Sequence, residues 1–228
     1  MKQYHTILLD IDGTLLDFQA AELNGIDEVM KQYKIAPSEE LRQQYRSIND
    51  RLWKEYELGK ISRDQIMGHR FSEFFERIGQ PVDGDQAEKQ YRERLNESAV
   101  LIDGAYEICR ILSEKYALYV VTNGVSETQY RRMKKCGLTP FFRDIFVSED
   151  AGSQKPQPEF FEYCFSRMPR EDRRNMLIVG DSLSSDIKGG NLAGIDTCWY
   201  NPEKAPRDPA VKVDYEIEKL MELKDILL

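Results

Sequence analysis

Apolar residues change their spacing twice along the chain, and the changes mark out its organisation. The run from Tyr4 to Asp10 holds Ile7, Leu8 and Leu9 in succession and predicts a buried strand. Residues 18 to 96 carry apolar side chains at helical spacing instead. Leu23, Ile26, Met30 and Tyr33 form one set, Leu41, Tyr45, Ile48 and Leu52 a second, and Met67, Phe71, Phe74, Phe75 and Ile78 a third. The third set opens on Ser62-Arg63-Asp64-Gln65, a capping-box pattern, and stops at Gly79-Gln80-Pro81. A further helix is expected from Asp85 to Asn96. Each of these helices has one apolar stripe, so they are expected to pack together as a small bundle.

From Leu101 short apolar runs alternate with helical stretches. Strands are predicted at Ala117–Thr122, Ile145–Val147, Met176–Val179 and Ile195–Tyr200, with an edge strand over Val213–Ile217. Helices are predicted at Ala105–Lys115, at Ser126–Cys136 before Gly137, at Pro158–Met168 with proline in the first turn, and at Ser184–Ala193. A closing helix runs through Leu220, Leu223 and Leu227. Strands alternating with helices predict an α/β fold, a Rossmann-like parallel sheet covered on both faces. The helical block interrupts that sheet after its first strand. Two domains are therefore expected: a discontinuous α/β core over 1–16 and 99–228, and an inserted α-helical bundle over 17–98. The chain crosses between them twice, which places a hinge near residues 15–19 and 96–101.

The charge balance narrows the partners. The net charge is −8 and the pI about 5.0. No lysine or arginine stripe is dense enough to hold a nucleic-acid polymer by its phosphates. The one basic run, Arg131-Arg132-Met133-Lys134-Lys135, reads as a solvated helix face. No stretch approaches the roughly 20 apolar residues of a membrane span, and the first residues lead straight into a strand, so a cytoplasmic location without membrane attachment is expected. Cys109, Cys136, Cys164 and Cys198 are far apart and read as reduced, mostly buried thiols. His5 and His69 are isolated from any serine-nucleophile pattern.

Candidate chemistry collects at the carboxyl ends of the predicted strands, where open α/β sheets bind ligands. The first ends in Asp10-Ile11-Asp12-Gly13-Thr14, the second in Thr122-Asn123-Gly124, and the fourth in Gly180-Asp181-Ser182-Leu183-Ser184-Ser185-Asp186, while Lys155-Pro156 opens the helix before the fourth. Each segment alone has an ordinary reading as a turn, a helix cap or a surface lysine. Together they bring several acids, a hydroxyl, an amide and one ammonium to one edge. Two carboxylates ending a buried strand are too costly to be packing residues, and a cation offsets their charge.

These four segments resemble the motifs of the haloacid dehalogenase (HAD) superfamily, in order and at suitable separations, with no motif position departing from the pattern. The helical insert after the first motif resembles that family's type-1 cap. The resemblance implies that Asp10 is a nucleophile forming an aspartyl-phosphate and that Asp12 is the general acid and base. It implies that Asp181 and Asp186 hold Mg²⁺ together with Asp10 and the Asp12 backbone carbonyl, Asp186 either directly or through water. Thr122, the Asn123 backbone and Lys155 are implied as phosphate-binding groups.

Within the superfamily, an acid two residues after the nucleophile and two further acids favour Mg²⁺-dependent phosphate transfer to water over halide release. A phosphomutase needs cap groups for a second phosphate. A phosphonatase needs a cap lysine, and nothing marks Lys31, Lys34, Lys54 or Lys60. The stretch from Gly180 to Pro202 and the Asp17-Phe18 entry to the insert resemble a bacterial group of pyrimidine 5′-nucleotidases. The implied partner is a small phosphorylated metabolite, a nucleoside monophosphate, with phosphoglycolate or a sugar phosphate as the alternative. A catalytically silent phosphate-binding protein is the reading from a different class. The cap is expected to select the substrate. Trp53 and Tyr56 are candidates for stacking on a base, although cap packing is the ordinary role for both, and Trp199 and Tyr200 are assigned to core packing.

Overall fold

In the computed structural model, residues 2–228 are described and fall into two compact units, one of residues 2–18 and 99–228 and the other of residues 19–98. The chain runs β1 (Thr6–Leu9), α1 (Phe18–Gln32), α2 (Glu39–Glu57), α3 (Arg63–Arg77), α4 (Gly84–Glu97), α5 (Ala105–Ser113), β2 (Ala117–Thr122) and α6 (Ser126–Lys135). It continues through β3 (Asp144–Val147), α7 (Ser148–Ala151), α8 (Pro158–Arg167), β4 (Met176–Gly180), α9 (Lys188–Ala193), β5 (Asp196–Tyr200), β6 (Tyr215–Ile217) and α10 (Leu223–Leu227). The six strands form one parallel sheet in the order β3-β2-β1-β4-β5-β6.

Alternation along the central strands sorts their side chains onto two faces. Ile7 and Leu9, Leu118 and Val120, and Leu177 and Val179 face one core, which takes in Ile108 and Leu112 of α5 and Leu223 of α10. Leu8, Tyr119, Val121 and Ile178 face the other, packed by Phe160, Phe161 and Cys164 of α8. Because both faces are covered, the central strands read as continuous apolar runs rather than as alternation. The strand order reverses direction at β1, so the carboxyl ends of β1, β2 and β4 lie side by side there. Three of the four cysteines are buried and all four are free. Among the described residues no helix is long and apolar enough to cross a membrane.

The helical unit is a bundle with an aromatic core of Tyr45, Phe71, Phe74, Phe75 and Tyr91, all nearly inaccessible. Ser62 and Gln65 form a full capping box at the start of α3. Trp53 and Tyr56 pack edge to face with their ring centroids 5.8 Å apart. A polar network also lies inside this bundle. Arg70 donates to both Glu88 oxygens at 2.6 and 2.7 Å and to Asn49 Oδ1 at 3.2 Å, and Asn49 donates to Glu22 Oε1 at 2.9 Å.

Some elements differ from the sequence-based expectation. The helix expected over 184–193 is a π-helical turn, Leu183–Ile187, followed by α9. Ser182 Oγ accepts the Ser185 N–H at 3.2 Å and the Ser182 N–H bonds Asp186 Oδ2 at 3.1 Å, so side chains compete with the α-helical ladder over that turn. The closing helix is also shorter, a 3-10 turn at Leu220–Glu222 leading into α10.

Candidate active site

Asp10 follows β1 directly, and its N–H continues the ladder to Val179 O at 3.0 Å, which carries the residue to the edge of the sheet. The chain then turns sharply, with Leu15 and Leu16 both donating to Ile11 O. Gly13 in this turn has φ +82°, and a Cβ there would sit 2.4 Å from Asp181 Oδ2. Two requirements thus select glycine: a left-handed backbone and the close approach of an acid from β4. Thr14 Oγ1 donates to Asp181 Oδ1 at 3.0 Å, so the turn holds that carboxylate as well as making room for it. Gly180 makes room for Asp186, since a Cβ on it would meet Asp186 Oδ2 at 2.2 Å.

Asp10, Asp181 and Asp186 each present a carboxylate oxygen, and these atoms lie within 4.8 Å of one another. Lys155, itself 1% exposed, reaches in from the loop before α8. Its Nζ donates to Asp10 Oδ1 at 2.7 Å, to Asp186 Oδ1 at 2.6 Å and to Val121 O at 2.8 Å. Asn123 braces that lysine: its side chain accepts the Lys155 N–H and donates to the Lys155 carbonyl, both at 2.9 Å. The side chain of Asn123 therefore serves the lysine.

The electrostatics follow from burial. Loss of solvent pushes the Asp10 carboxyl well above its usual range; Lys155 pulls it down, and the negative charges of Asp186, Asp181 and Asp12 push it further up. Burial also raises Asp181 to about 7, with Asp186 adding to the effect and the Thr14 hydrogen bond opposing it. Burial alone would lower the Lys155 ammonium, but attraction from Asp10 and Asp186 outweighs it and the net shift is upward.

Asp12 is turned toward a different set of partners. Its Oδ1 accepts from Arg132 Nη1 at 2.5 Å and its Oδ2 from Gln129 Nε2 at 2.6 Å. Gln129 Nε2 also donates to Thr122 Oγ1 at 2.8 Å, which links the end of β2 to the β1 turn. Gln129 thus bridges Thr122 and Asp12. The basic run on α6 accordingly needs correction. Arg131, Lys134 and Lys135 are exposed, but Arg132 is 1% exposed and points inward with Thr128, Gln129 and Met133. A solvated face was the wrong reading for that one position, because the buried stripe of α6 ends on a carboxylate that pairs with it. Gln129 and Arg132 were not among the candidates. Their signal is the three-residue spacing that puts both on one helix face just after Thr122-Asn123-Gly124. Trp199 was assigned to packing; it is buried and also donates Nε1–H to Asp181 O at 2.8 Å.

Comparison with known proteins places the chain in a family. The sequence profile of the haloacid dehalogenase-like hydrolases matches residues 7–200. The chain belongs to that family. Over 227 residues it is 48% identical to YfnB of Bacillus subtilis, named as a HAD-hydrolase, an alignment covering all of this chain and 97% of YfnB. It is 36% identical over 225 residues to the pyrimidine 5′-nucleotidase PynA of Streptococcus pneumoniae, covering 98% of this chain and 95% of PynA. The crystal structure of magnesium-bound YfnB superposes with a TM-score of 0.94 over 99% of both chains. A dehalogenase captured with an intermediate superposes at 0.79 with 18% identity over 100% of this chain and 98% of its own, a likeness of fold.

Proposed function

We propose that this HAD-family hydrolase is a Mg²⁺-dependent phosphatase that removes the 5′-phosphate from pyrimidine nucleoside monophosphates through an aspartyl-phosphate on Asp10. The observation that carries the reading is the convergence of Asp10, Asp181 and Asp186 within 4.8 Å, with Lys155 bonded to two of them. Three carboxylates from two strand ends, two of them buried and Asp181 partly so, suit a hard divalent cation, which removes the cost of their mutual repulsion. Asp10, Asp181 and Asp186 would hold it, with the Asp12 carbonyl as a further oxygen donor. A bound divalent ion supplies positive charge that lets a carboxylate approach an anionic phosphate.

The chain's own groups then divide the work. An Asp10 oxygen attacks phosphorus, a P–O bond forms, and the bond to the leaving oxygen breaks. Asp12 gives its proton to that oxygen, so an alcohol departs rather than an alkoxide. In the second half Asp12 takes a proton from water as the water attacks the aspartyl-phosphate, and inorganic phosphate leaves with Asp10 restored. The Lys155 ammonium holds phosphoryl oxygens as their charge shifts. A dehalogenase releases halide, which needs no proton, so Asp12 and the acid cluster favour phosphate chemistry.

Similarity to PynA supports the choice of pyrimidine nucleotides, as does 28% identity over 221 residues to the pyrimidine 5′-nucleotidase YjjG of Escherichia coli. Phosphate release from a panel of phosphomonoesters, with Mg²⁺ and with EDTA, tests both levels. Preference for UMP, dUMP or dTMP is expected. Preference for phosphoglycolate or a sugar phosphate would overturn the substrate. Turnover undiminished in EDTA, or halide release from 2-chloropropionate, would overturn the chemistry.

A further inference from the structure

Asp12 has an open edge, its side chain being 26% exposed. A carboxylate on a turn, with two rotatable bonds and access to water, has no intrinsic reason to keep one orientation. Here both of its oxygens are engaged from beneath by buried groups. Arg132 Nη1 reaches Oδ1 at 2.5 Å and Gln129 Nε2 reaches Oδ2 at 2.6 Å. The two supports also brace each other, because Arg132 Nη1 donates to Gln129 Oε1 at 3.1 Å. Two donors, one of them the charged Arg132 guanidinium, fix the plane of the carboxyl group as well as its position.

Gly124 makes this arrangement possible. A Cβ at Gly124 would lie 2.4 Å from Gln129 Nε2, so any larger residue displaces the amide from its path to Asp12. The Thr-Asn-Gly turn therefore has a role beyond presenting its threonine: its glycine admits the side chain that steers the acid of another segment.

We infer that Gln129 and Arg132 are positioning residues that hold the Asp12 carboxylate in line for proton transfer, with Gln129 tying that orientation to Thr122. The inference rests on the proposed phosphatase chemistry, in which Asp12 protonates the leaving oxygen. Neither residue acts on the substrate itself. A misaligned proton donor typically costs about 10- to 100-fold in rate with little effect on binding.

The test uses Gln129→Leu, Arg132→Met and Arg132→Lys, alone and with Asp12→Ala, in the full-length protein with Mg²⁺. For a phosphomonoester with an alkoxide leaving group, Q129L and R132M are expected to lower kcat/KM by about 10- to 100-fold. For p-nitrophenyl phosphate, whose leaving group departs without a proton, the loss in kcat/KM is expected to be several-fold smaller. KM should stay within about two-fold, and R132K, which restores one charged donor, should recover most of the activity. With p-nitrophenyl phosphate, adding Q129L to D12A should cost no further kcat, because a residue that acts through Asp12 has nothing left to position. Equal losses on both substrates, or a Q129L loss that persists in full on D12A, would overturn the positioning role. Should R132M fail to fold, R132K and Q129L carry the same comparison. A D12A variant as active as wild type on the alkyl substrate would overturn the phosphatase reading instead.

Discussion

Removing the Lys155 ammonium exposes how the acid cluster is balanced. Lys155→Met keeps a side chain of similar length and deletes the positive charge that touches Asp10 Oδ1 at 2.7 Å and Asp186 Oδ1 at 2.6 Å. At an effective dielectric of about 20, each such contact is a gross attraction of roughly 6 kcal/mol. The net effect is smaller, since the ammonium also loses its water on burial. Breaking a buried pair by deleting one partner costs about 3–5 kcal/mol. For a chain of this size that corresponds to a fall in Tm of about 10 °C, measured in EDTA. The penalty should grow with pH. Asp181 titrates at about 7 because burial and Asp186 raise it. At pH 6 the cluster relieves its repulsion by keeping a proton; Lys155 lowers Asp181, so its loss raises that carboxyl further and the repulsion sets in progressively above pH 7. Mg²⁺ then supplies the missing charge, so the Tm gain on adding it should be larger in the variant than in wild type. Differential scanning fluorimetry at pH 6 and 8, with Mg²⁺ and with EDTA, reads all three effects. A variant as stable as wild type at pH 8 in EDTA, or one that gains less from Mg²⁺, would refute the view that Lys155 balances a cation-binding cluster.

Three further outcomes follow from the same contacts. Asp10→Asn should lower phosphate release by at least about 10³-fold while leaving the circular-dichroism spectrum unchanged; retained turnover would remove Asp10 as nucleophile. In the helical unit, burial raises Glu22 to about 7, with Asp50 adding to the shift and Arg70 and Arg46 opposing it. The folded state therefore holds a proton that the unfolded chain releases near pH 4.5, so this group's stabilisation is complete below that pH and is lost as pH rises to 7, by roughly 3 kcal/mol. Urea titrations of wild type and Glu22→Gln should diverge over that window, and parallel curves would refute the shift. Arg70→Met should cost about 3–5 kcal/mol by stranding the buried Glu88, whereas Arg70→Met with Glu88→Leu should recover most of it; equal denaturation midpoints for the two variants would contradict this.

What could be read from the sequence depended on whether a residue's signal is local. Ile7-Leu8-Leu9 and Leu177-Ile178-Val179 announce buried parallel strands because both faces of the sheet are covered. The acids after them stand out because charge following such a run has no packing explanation. Asp10, Asp181, Asp186 and Lys155 meet at the carboxyl edge of the parallel sheet that the alternation of strands and helices implies, although the strand order that sets β1 beside β4 is seen only in the structure. Arg132 was not legible. Its neighbours Arg131, Lys134 and Lys135 are solvated, and only the phase of α6 against the sheet turns this one guanidinium inward. The π-helical turn at Leu183–Ile187 was hidden for a related reason. Its spacing differs from an α-helix by one residue, and the Ser182 and Asp186 bonds that favour it are visible only once the turn is formed.

Asp10 and Asp12 are separated by one residue, yet they are held by different partners. Asp10 faces β4 and shares Lys155 with Asp186, among carboxylates that repel it. Asp12 faces α6 and accepts from Arg132 and Gln129. The nucleophile's place is among the acids that would hold a cation, whereas a group that must gain and lose a proton each cycle benefits from a fixed orientation and an open edge. The alternation of a β-type backbone separates these needs: residues two apart would share a face if the strand continued, but the turn at Gly13 ends it and sends Asp12 toward the neighbouring helix. Gly13 thereby does two things at once. It admits Asp181 to the nucleophile's cluster and points the second acid away from it. A Gly13→Ala substitution therefore strains the backbone and collides with Asp181 together, and its loss of activity should exceed its loss of stability.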